Sequence, residues 1–378
     1  MNRASILTAL GCLVFACVLV YNFAFLKSNS SRQVFRSYRS FKAMLPWRSG
    51  NLTLPKPKIL LGYTKFFSWT IESILTSNSE PFCDFECVFS DDPDLLEDAS
   101  VVIFHGRDLT YPLPKLSEAQ TSVFLSTESP IYTFSLDRIP KDYFDVLLAY
   151  TRDSDVFMPY DEFRRVNESE PNPMNYTVWD QEEVLRIVAN KTDLILQFVS
   201  NCKTNSSRER YVDEIRKHVN VTVVGYCKPS VGKACGVSET CEKDLIRSHY
   251  FYLAFENSVC PEYVTEKFFR MKELIVPVVL KRSILDGIAP EGSFIAADDF
   301  KSPEDLVAYL EETAADQGRY FKYLEWTRFY YKDRIRSQAK CRLCEMAWKG
   351  KEKTGKRSIA ELWSSKTCDM GYVNRILA

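Results

Sequence analysis

The residues with the most chemical promise lie between positions 250 and 269. There TyrPheTyrLeuAlaPheGluAsnSer (250–258) is followed by CysProGluTyrValThrGluLysPhePhe (260–269). The pattern predicts an aromatic-rich strand ending at Asn257, a short turn, and a helix starting near Glu262. A helix N-terminus beyond a strand offers unpaired N–H groups and a positive dipole end, which suits a phosphate. Tyr263, Glu266 and Lys267 are spaced i, i+3 and i+4, so on such a helix they share one face. Lys267 is suited to neutralising a diphosphate, Glu266 to accepting from ribose hydroxyls, and Tyr263 to packing on or bonding to the same ligand. Spacing alone favours an ordinary amphipathic helix with a solvated Glu–Lys pair.

Metal chemistry has weaker sequence support. Asp92-Pro-Asp94 and Asp153-Ser-Asp155 have the form of diphosphate–metal motifs, but such triplets are also common in turns. Cys341-x-x-Cys344 has the spacing of half a zinc site, and no second half follows. The three histidines, His105, His218 and His249, belong to no recognisable triad and read as structural or surface residues.

These residues need elements to position them. Short apolar runs at 58–63, 100–105, 122–126 and 145–150 are followed, after a polar stretch at 161–190, by runs at 194–200, 221–226, 250–257 and 275–280. Continuous apolar strands of this kind suit parallel sheets covered on both faces. Helical patterns fall at 208–219, 241–249 and 262–274. Another helix is predicted from Ser302, with Glu304 and Asp305 in its first turn. A long helical region is expected from Arg319 to about Trp348, and a basic, loose tail after Lys349. The fold class is α/β, with two Rossmann-like units in sequence and a cleft between them where ligands bind beyond the strand ends. The expected boundaries are 57–175 for the first unit, 190–348 for the second, and 349–378 for the tail.

Composition points to a compartment. The charge is balanced, 49 Lys+Arg against 50 Asp+Glu, which leaves no basic footprint for nucleic acid. From Ile6 to Leu26 the chain reads ILTALGCLVFACVLVYNFAFL without a charge, long enough at 1.5 Å per residue to span a bilayer core of roughly 30 Å. Aromatic residues Tyr21, Phe23 and Phe25 occupy the place of a small-residue cleavage site, so the segment reads as an uncleaved signal-anchor. It follows a 1–5 cytoplasmic tail and precedes a polar 27–56 stem. Basic residues after the segment oppose a lumenal body under the positive-inside rule. That rule is weak for long translocated domains, whereas ten cysteines and seven Asn-x-Ser/Thr sequons (Asn29, Asn51, Asn167, Asn175, Asn190, Asn205 and Asn220) lie on that side and favour an oxidising lumen.

FYLAFENS (251–258), EYVTEK (262–267) and VPVV (276–279), in that order, resemble the donor-binding signature of the α1,3/4-fucosyltransferase family. The similarity extends to SerThrGluSerPro (126–130), 151–160, Ser200-Asn201, ArgGluArgTyr (208–211), AspAspPhe (298–300) and CysArgLeuCys (341–344), covering about 58–348. The resemblance implies two facing α/β domains of the GT-B type, the second holding GDP-fucose. It implies Glu128 as the general base, Arg208 at the diphosphate, and Asn257, Tyr263, Glu266 and Lys267 as donor-binding residues. It implies inverting transfer of fucose in α1,3 linkage to a GlcNAc-bearing acceptor at a Golgi membrane. The acceptor is an N-glycan, either at its core or, in the alternative, at a Lewis-type antenna. A catalytically silent glycan-binding protein is the competing class. No metal is required on this reading, and Mn2+ stimulation is compatible with it. The resemblance also pairs Cys341 and Cys344 with Cys83 and Cys87. The chain departs from the pattern at Lys281 and Arg282, where many relatives have Gly, and at RMKEL (270–274).

Overall fold

A computed structural model describes residues 57–77, 82–133, 136–172, 174–227, 239–335, 337–350 and 358–378. The expected anchor at 6–26 and stem at 27–56 lie outside them, and among the described residues no helix is long and apolar enough to cross a membrane. The first sheet contains β1 (Ile59–Gly62), β2 (Val88–Ser90), β3 (Val101–His105), β4 (Thr121–Ser126), β5 (Val146–Ala149) and β6 (Val156–Phe157), in the order β2-β1-β3-β4-β5-β6. The second contains β7 (Asp193–Val199), β8 (Val221–Gly225), β9 (His249–Leu253), β10 (Val276–Val279) and β11 (Ile295–Ala296), in the order β11-β10-β9-β7-β8. Every pairing is parallel.

The apolar strands are explained by double coverage. Leu60, Ile103, Val123 and Leu148 face one core, built with α1 (Ile71–Ser77). Ile59, Leu61, Phe104, Phe124 and Leu147 face the opposite one. Period-2 alternation puts neighbours on opposite faces, and with both faces dry no polar position is left. The second sheet is flanked by α2 (Gln181–Ala189), α3 (Arg208–Ile215), α4 (Glu239–Ser248), α5 (Glu266–Phe269), α6 (Pro303–Ala315) and α7 (Gln317–Lys322). Ser302 caps α6 by accepting from Asp305 N, as the sequence suggested.

Three expectations are corrected. The region from Arg319 is not one long helix. It breaks into α7, a 3₁₀ turn at Glu325–Arg328 and α8 (Ala339–Lys349), because the backbone between them pairs elsewhere: Tyr331 N with Arg164 O and Lys332 N with Thr177 O. Helix α8, placed by sequence order in the second unit, packs through Leu343, Cys344 and Met346 on the first sheet. Finally, the tail is not loose over 358–378. It forms α9 (Ile359–Leu362) and α10 (Tyr372–Ile376), with Trp363 and Val373 buried.

The disulfides Cys83–Cys341 and Cys87–Cys344 match the pairing implied by the resemblance. Cys202–Cys227 and Cys260–Cys368, which the sequence left open, are also formed.

Candidate active site

In the second sheet β7 neighbours both β8 and β9, so the chain leaves these adjacent strands in opposite directions and a crevice opens beyond their carboxyl ends. Arg208 starts α3 after β7, and Glu256 and Asn257 follow β9. Arg208 is 4% exposed. Its Nη1 donates to Phe255 O at 2.5 Å and its Nη2 to Asn201 O at 3.4 Å, so the guanidinium bridges the two diverging strand ends. The Nε atom is buried without a hydrogen-bond partner among the described residues. Ser207, in the left-handed region at φ 57°, makes no side-chain cap to the start of α3, where Arg210 N donates to Ser207 O at 3.0 Å.

Lys267 Nζ lies 2.8 Å from Thr265 Oγ1, 3.1 Å from Glu266 Oε1 and 3.2 Å from Glu256 Oε2. Burial alone would weaken its hold on a proton, but Glu256 and Glu266 outweigh that and raise the ammonium pKa, even with Arg208 repelling it nearby. Arg208 lies near enough for its charge to be felt at Lys267, which is itself paired with Glu256 and Glu266. Glu256 is 3% exposed, and burial lifts its carboxyl above the usual range against the pull of Lys267. Glu266 is 53% exposed at the rim. Its partial burial would raise the carboxyl, but Lys267 and Arg270 together hold it below the usual range.

Across the seam, β4 ends at Ser126 and Glu128 follows two residues on. Glu128 Oε2 accepts from Tyr263 OH at 3.3 Å and from Asn257 Nδ2 at 3.5 Å. Next to it, the buried hydroxyls of Ser129 and Ser258 meet at 2.8 Å. Tyr263 is 1% exposed and its ring lies 5.2 Å from Tyr150, within the core of the first sheet. Burial, then the neighbouring Tyr160 and Glu128, push its phenol far above the ordinary value, so it stays protonated and donates to Glu128. Arg152 fastens the same seam, its N donating to Glu262 Oε2 at 2.8 Å and its Nη1 lying 3.4 Å from Glu262 Oε1.

The helix expected from Glu262 is corrected. It begins at Glu266, capped by Thr265, and is only four residues long. Tyr263 precedes it, after Glu262 at φ 56°, and so does not share a helical face with Glu266 and Lys267. Thr265 N and Oγ1 both donate to Glu256 Oε1, at 2.9 and 2.8 Å, and that buried acceptor sets the helix start. Tyr263 is freed to turn toward Glu128, while Lys267 turns toward the crevice.

Two participants were not picked out from sequence. Glu256 lies in the strand-like run, and its signal was a carboxylate among aromatic residues that cannot be buried without a cation. Arg270 stacks on Phe198 and Tyr252 at 5.1 and 5.4 Å and pairs with Glu242 at 2.8 Å and Glu266 at 4.0 Å. The Asp-x-Asp triplets have local roles: Asp92 accepts from Asp94 N, and Asp155 from Leu147 N at 2.8 Å. Among the described residues no group of three His, Cys, Asp or Glu could hold a metal ion.

The fold and seam define a two-sheet α/β protein in which a carboxylate after β4 meets Asn257 and Tyr263 after β9. Family models agree: "Fucosyltransferase, N-terminal" matches residues 55–161 and "Glycosyltransferase family 10 (fucosyltransferase) C-term" matches 188–364. The chain is 31% identical over 277 residues to the α-(1,3)-fucosyltransferase fut-1 of Caenorhabditis elegans, covering 70% of this chain and 61% of that one. It is 32% identical over 287 residues to the human 4-galactosyl-N-acetylglucosaminide 3-α-L-fucosyltransferase FUT5, covering 73% and 71%. The fold is similar to that of a crystal structure of an α1,3-fucosyltransferase with GDP-fucose, at TM-score 0.52 and 16% identity over 84% of this chain and 96% of the other. The chain belongs to the α1,3/4-fucosyltransferase family.

Proposed function

We propose that the protein transfers L-fucose from GDP-fucose, with inversion, in α1,3 linkage to GlcNAc of an N-glycan, at its core or elsewhere, and that Glu128 is the general base. The observation that carries this reading is the meeting of Glu128 with Asn257 and Tyr263, with Arg208 near enough to be felt at Lys267. As the bond between the sugar and GDP breaks, the acceptor hydroxyl must lose a proton, and a carboxylate within hydrogen-bond reach takes it. Tyr263 and Asn257 hold that carboxylate in place. Negative charge develops on the departing diphosphate, where Lys267 and the field of Arg208 stabilise it without requiring a metal. Glu266, held ionised at the rim, accepts from sugar hydroxyls. The human relative's printed name, a fucosyltransferase of 4-galactosyl-N-acetylglucosaminide, favours an antennary acceptor as the second reading.

We further place the protein in the Golgi membrane, anchored by 6–26 with its body lumenal, a placement supported by the disulfides of the body. Glu128→Gln is expected to abolish transfer to defined N-glycans, to leave GDP affinity within about twofold, and to act on an enzyme fully active in EDTA. A Glu128→Gln protein that still transfers fucose excludes Glu128 as the base. A body cleaved by protease added to sealed microsomes excludes the lumenal placement.

A further inference from the structure

Residues 358–378 contact all the segments that build the seam. Trp363 packs 6.4 Å from Phe124 and 5.3 Å from Tyr150, and its Nε1 donates to Thr133 Oγ1 at 2.9 Å. Thr133 donates in turn to Ser129 O at 3.3 Å, beside Glu128. Cys368 is bonded to Cys260, and Asp369 N donates to Val259 O at 2.7 Å, so the segment holds the 257–263 loop from behind. Val373 N donates to Ser206 O at 3.4 Å, and Asn374 accepts from Arg210, both at the loop that opens α3. Asp369 is the hub. It pairs with Arg375 inside the segment and, through Oδ2, with Lys281 Nζ at 3.0 Å beyond β10. Lys281 also lies 5.2 Å from the Tyr372 ring. Cys368 and Asp369 fall past residue 364, where the family match ends.

We propose that the segment is a positioning strap, with Cys368 and Asp369 fixing the 257–263 loop so that Asn257 and Tyr263 stay on Glu128. Between β9 and α5 the chain runs through 254–265 without a regular element, held inside only by a few bonds such as Thr265 on Glu256, so ties from outside it add to its order. A displacement of about 1 Å in groups that orient a reaction is enough to lose on the order of a hundredfold in rate. The strap touches no reactant, and it acts through the loop. Its catalytic consequence rests on the proposed role of Glu128, whereas its hold on the loop does not.

The test uses the full chain, with hydrogen exchange of the 257–263 amides read beside kcat and KM for GDP-fucose and acceptor. Cys260→Ser with Cys368→Ser is expected to speed exchange at 257–263 and to lower kcat about tenfold, with acceptor KM within about twofold. Asp369→Asn and Lys281→Met, which leave the disulfide in place, are each expected to do the same more weakly. The double variant Lys281→Met/Asp369→Asn should be no worse than the poorer single one, because both remove the same pair. Unchanged exchange at 257–263 in all variants overturns the strap, whether or not the wild type transfers fucose. Exchange that rises uniformly across both sheets also overturns it, since the tail would then be a general stabiliser. An active Glu128→Gln protein alongside the expected exchange pattern overturns only the assignment of the base.

Discussion

At the scale of single residues, the seam depends on a carboxylate that never meets solvent. Glu256 gives one oxygen to the N–H and hydroxyl of Thr265 and faces Lys267 with the other. It thereby fixes where α5 starts and where the ammonium points. Glu256→Ala would leave Lys267 with Glu266 alone and strand the two donors of Thr265, and breaking such a buried pair from one side costs about 3 kcal/mol. Glu256→Gln keeps an acceptor for Thr265 and should cost only about 1 kcal/mol, the worth of a lost charge-assisted contact. Urea unfolding of the two variants checks this, and equal midpoints for Ala, Gln and wild type would show that Glu256 is not a structural anchor. Part of this residue set was legible: Glu128, Asn257 and Tyr263 were singled out through the resemblance and touch one another, while Lys267 lies against Thr265, Glu256 and Glu266. Glu256 was passed over because period-2 reasoning assigns a strand residue to a face and says nothing of a strand that has already ended. Hydrogen bonding explains the early end. Phe255 O accepts from Arg208 and Glu256 O from Ser206, so neither carbonyl is left for a neighbouring strand.

At the scale of elements, apolar runs located eight strands to within a few residues, because strands dry on both faces carry an unmistakable pattern. The short edge strands β2, β6 and β11 escaped, since two or three residues make no period. The start of α5 was misplaced because its cap, Thr265, is fixed by Glu256, nine residues back, which local spacing does not reveal. Strand ends also carry a pH dependence. His105 closes β3 fully buried, with Nδ1 2.8 Å from Asp108 and Nε2 buried without a partner among the described residues. His249 opens β9, with its Nδ1 donating to Leu245 O at 2.7 Å and its Nε2 accepting from Thr222 at 2.8 Å. Burial pushes both imidazoles below their ordinary value of 6.5, Asp108 opposing it at His105 and Leu245 O at His249. The folded state therefore binds fewer protons than the unfolded chain. Their stabilising contribution is complete above pH 6.5 and is lost as pH falls through 6.5 toward each folded value. The slope reaches about 2.7 kcal/mol per pH unit if both charge together. Urea midpoints measured from pH 7.5 to 5 should fall accordingly. A flat profile, or one unchanged by His105→Phe and His249→Phe, would mean that other groups govern the acid limb.

At the scale of the whole molecule, sequence order could suggest two units but not that the chain crosses between them more than once. The returning helix α8 and the first part of the strap, through Ile359 and Trp363, pack on the first sheet, while Tyr372 and Val373 pack on the second, and nothing in a linear pattern distinguishes a helix that stays from one that returns. Besides backbone bonds such as Tyr331 N to Arg164 O, the crossings share one buried ion pair. Lys272 Nζ lies 2.9 Å from Asp161 Oδ1 and donates to the carbonyls of Glu162 at 2.9 Å and Asp333 at 3.0 Å, while Ile335 N donates to the same Asp161 oxygen at 2.7 Å. The Lys272 ammonium thus bridges the outgoing segment near 161 and the returning segment near 333, alongside Arg334, which donates to Tyr160 O. Lys272 belongs to the RMKEL stretch (270–274), and its ammonium has a structural use at Asp161, Glu162 and Asp333. Burial weighs against both charges, raising the Asp161 carboxyl despite Lys272 and lowering the Lys272 ammonium despite Asp161. Replacing the pair with neutral residues should therefore be far less harmful than breaking it. Lys272→Met alone strands a buried carboxylate and should destabilise the protein by about 3–5 kcal/mol, whereas adding Asp161→Asn removes that charge while keeping an acceptor for Ile335 N, and should recover most of the loss. Chemical denaturation of the two singles and the double decides it. A double variant as unstable as the sum of the singles would mean that the two side chains act independently, and that something other than this pair holds the crossings together.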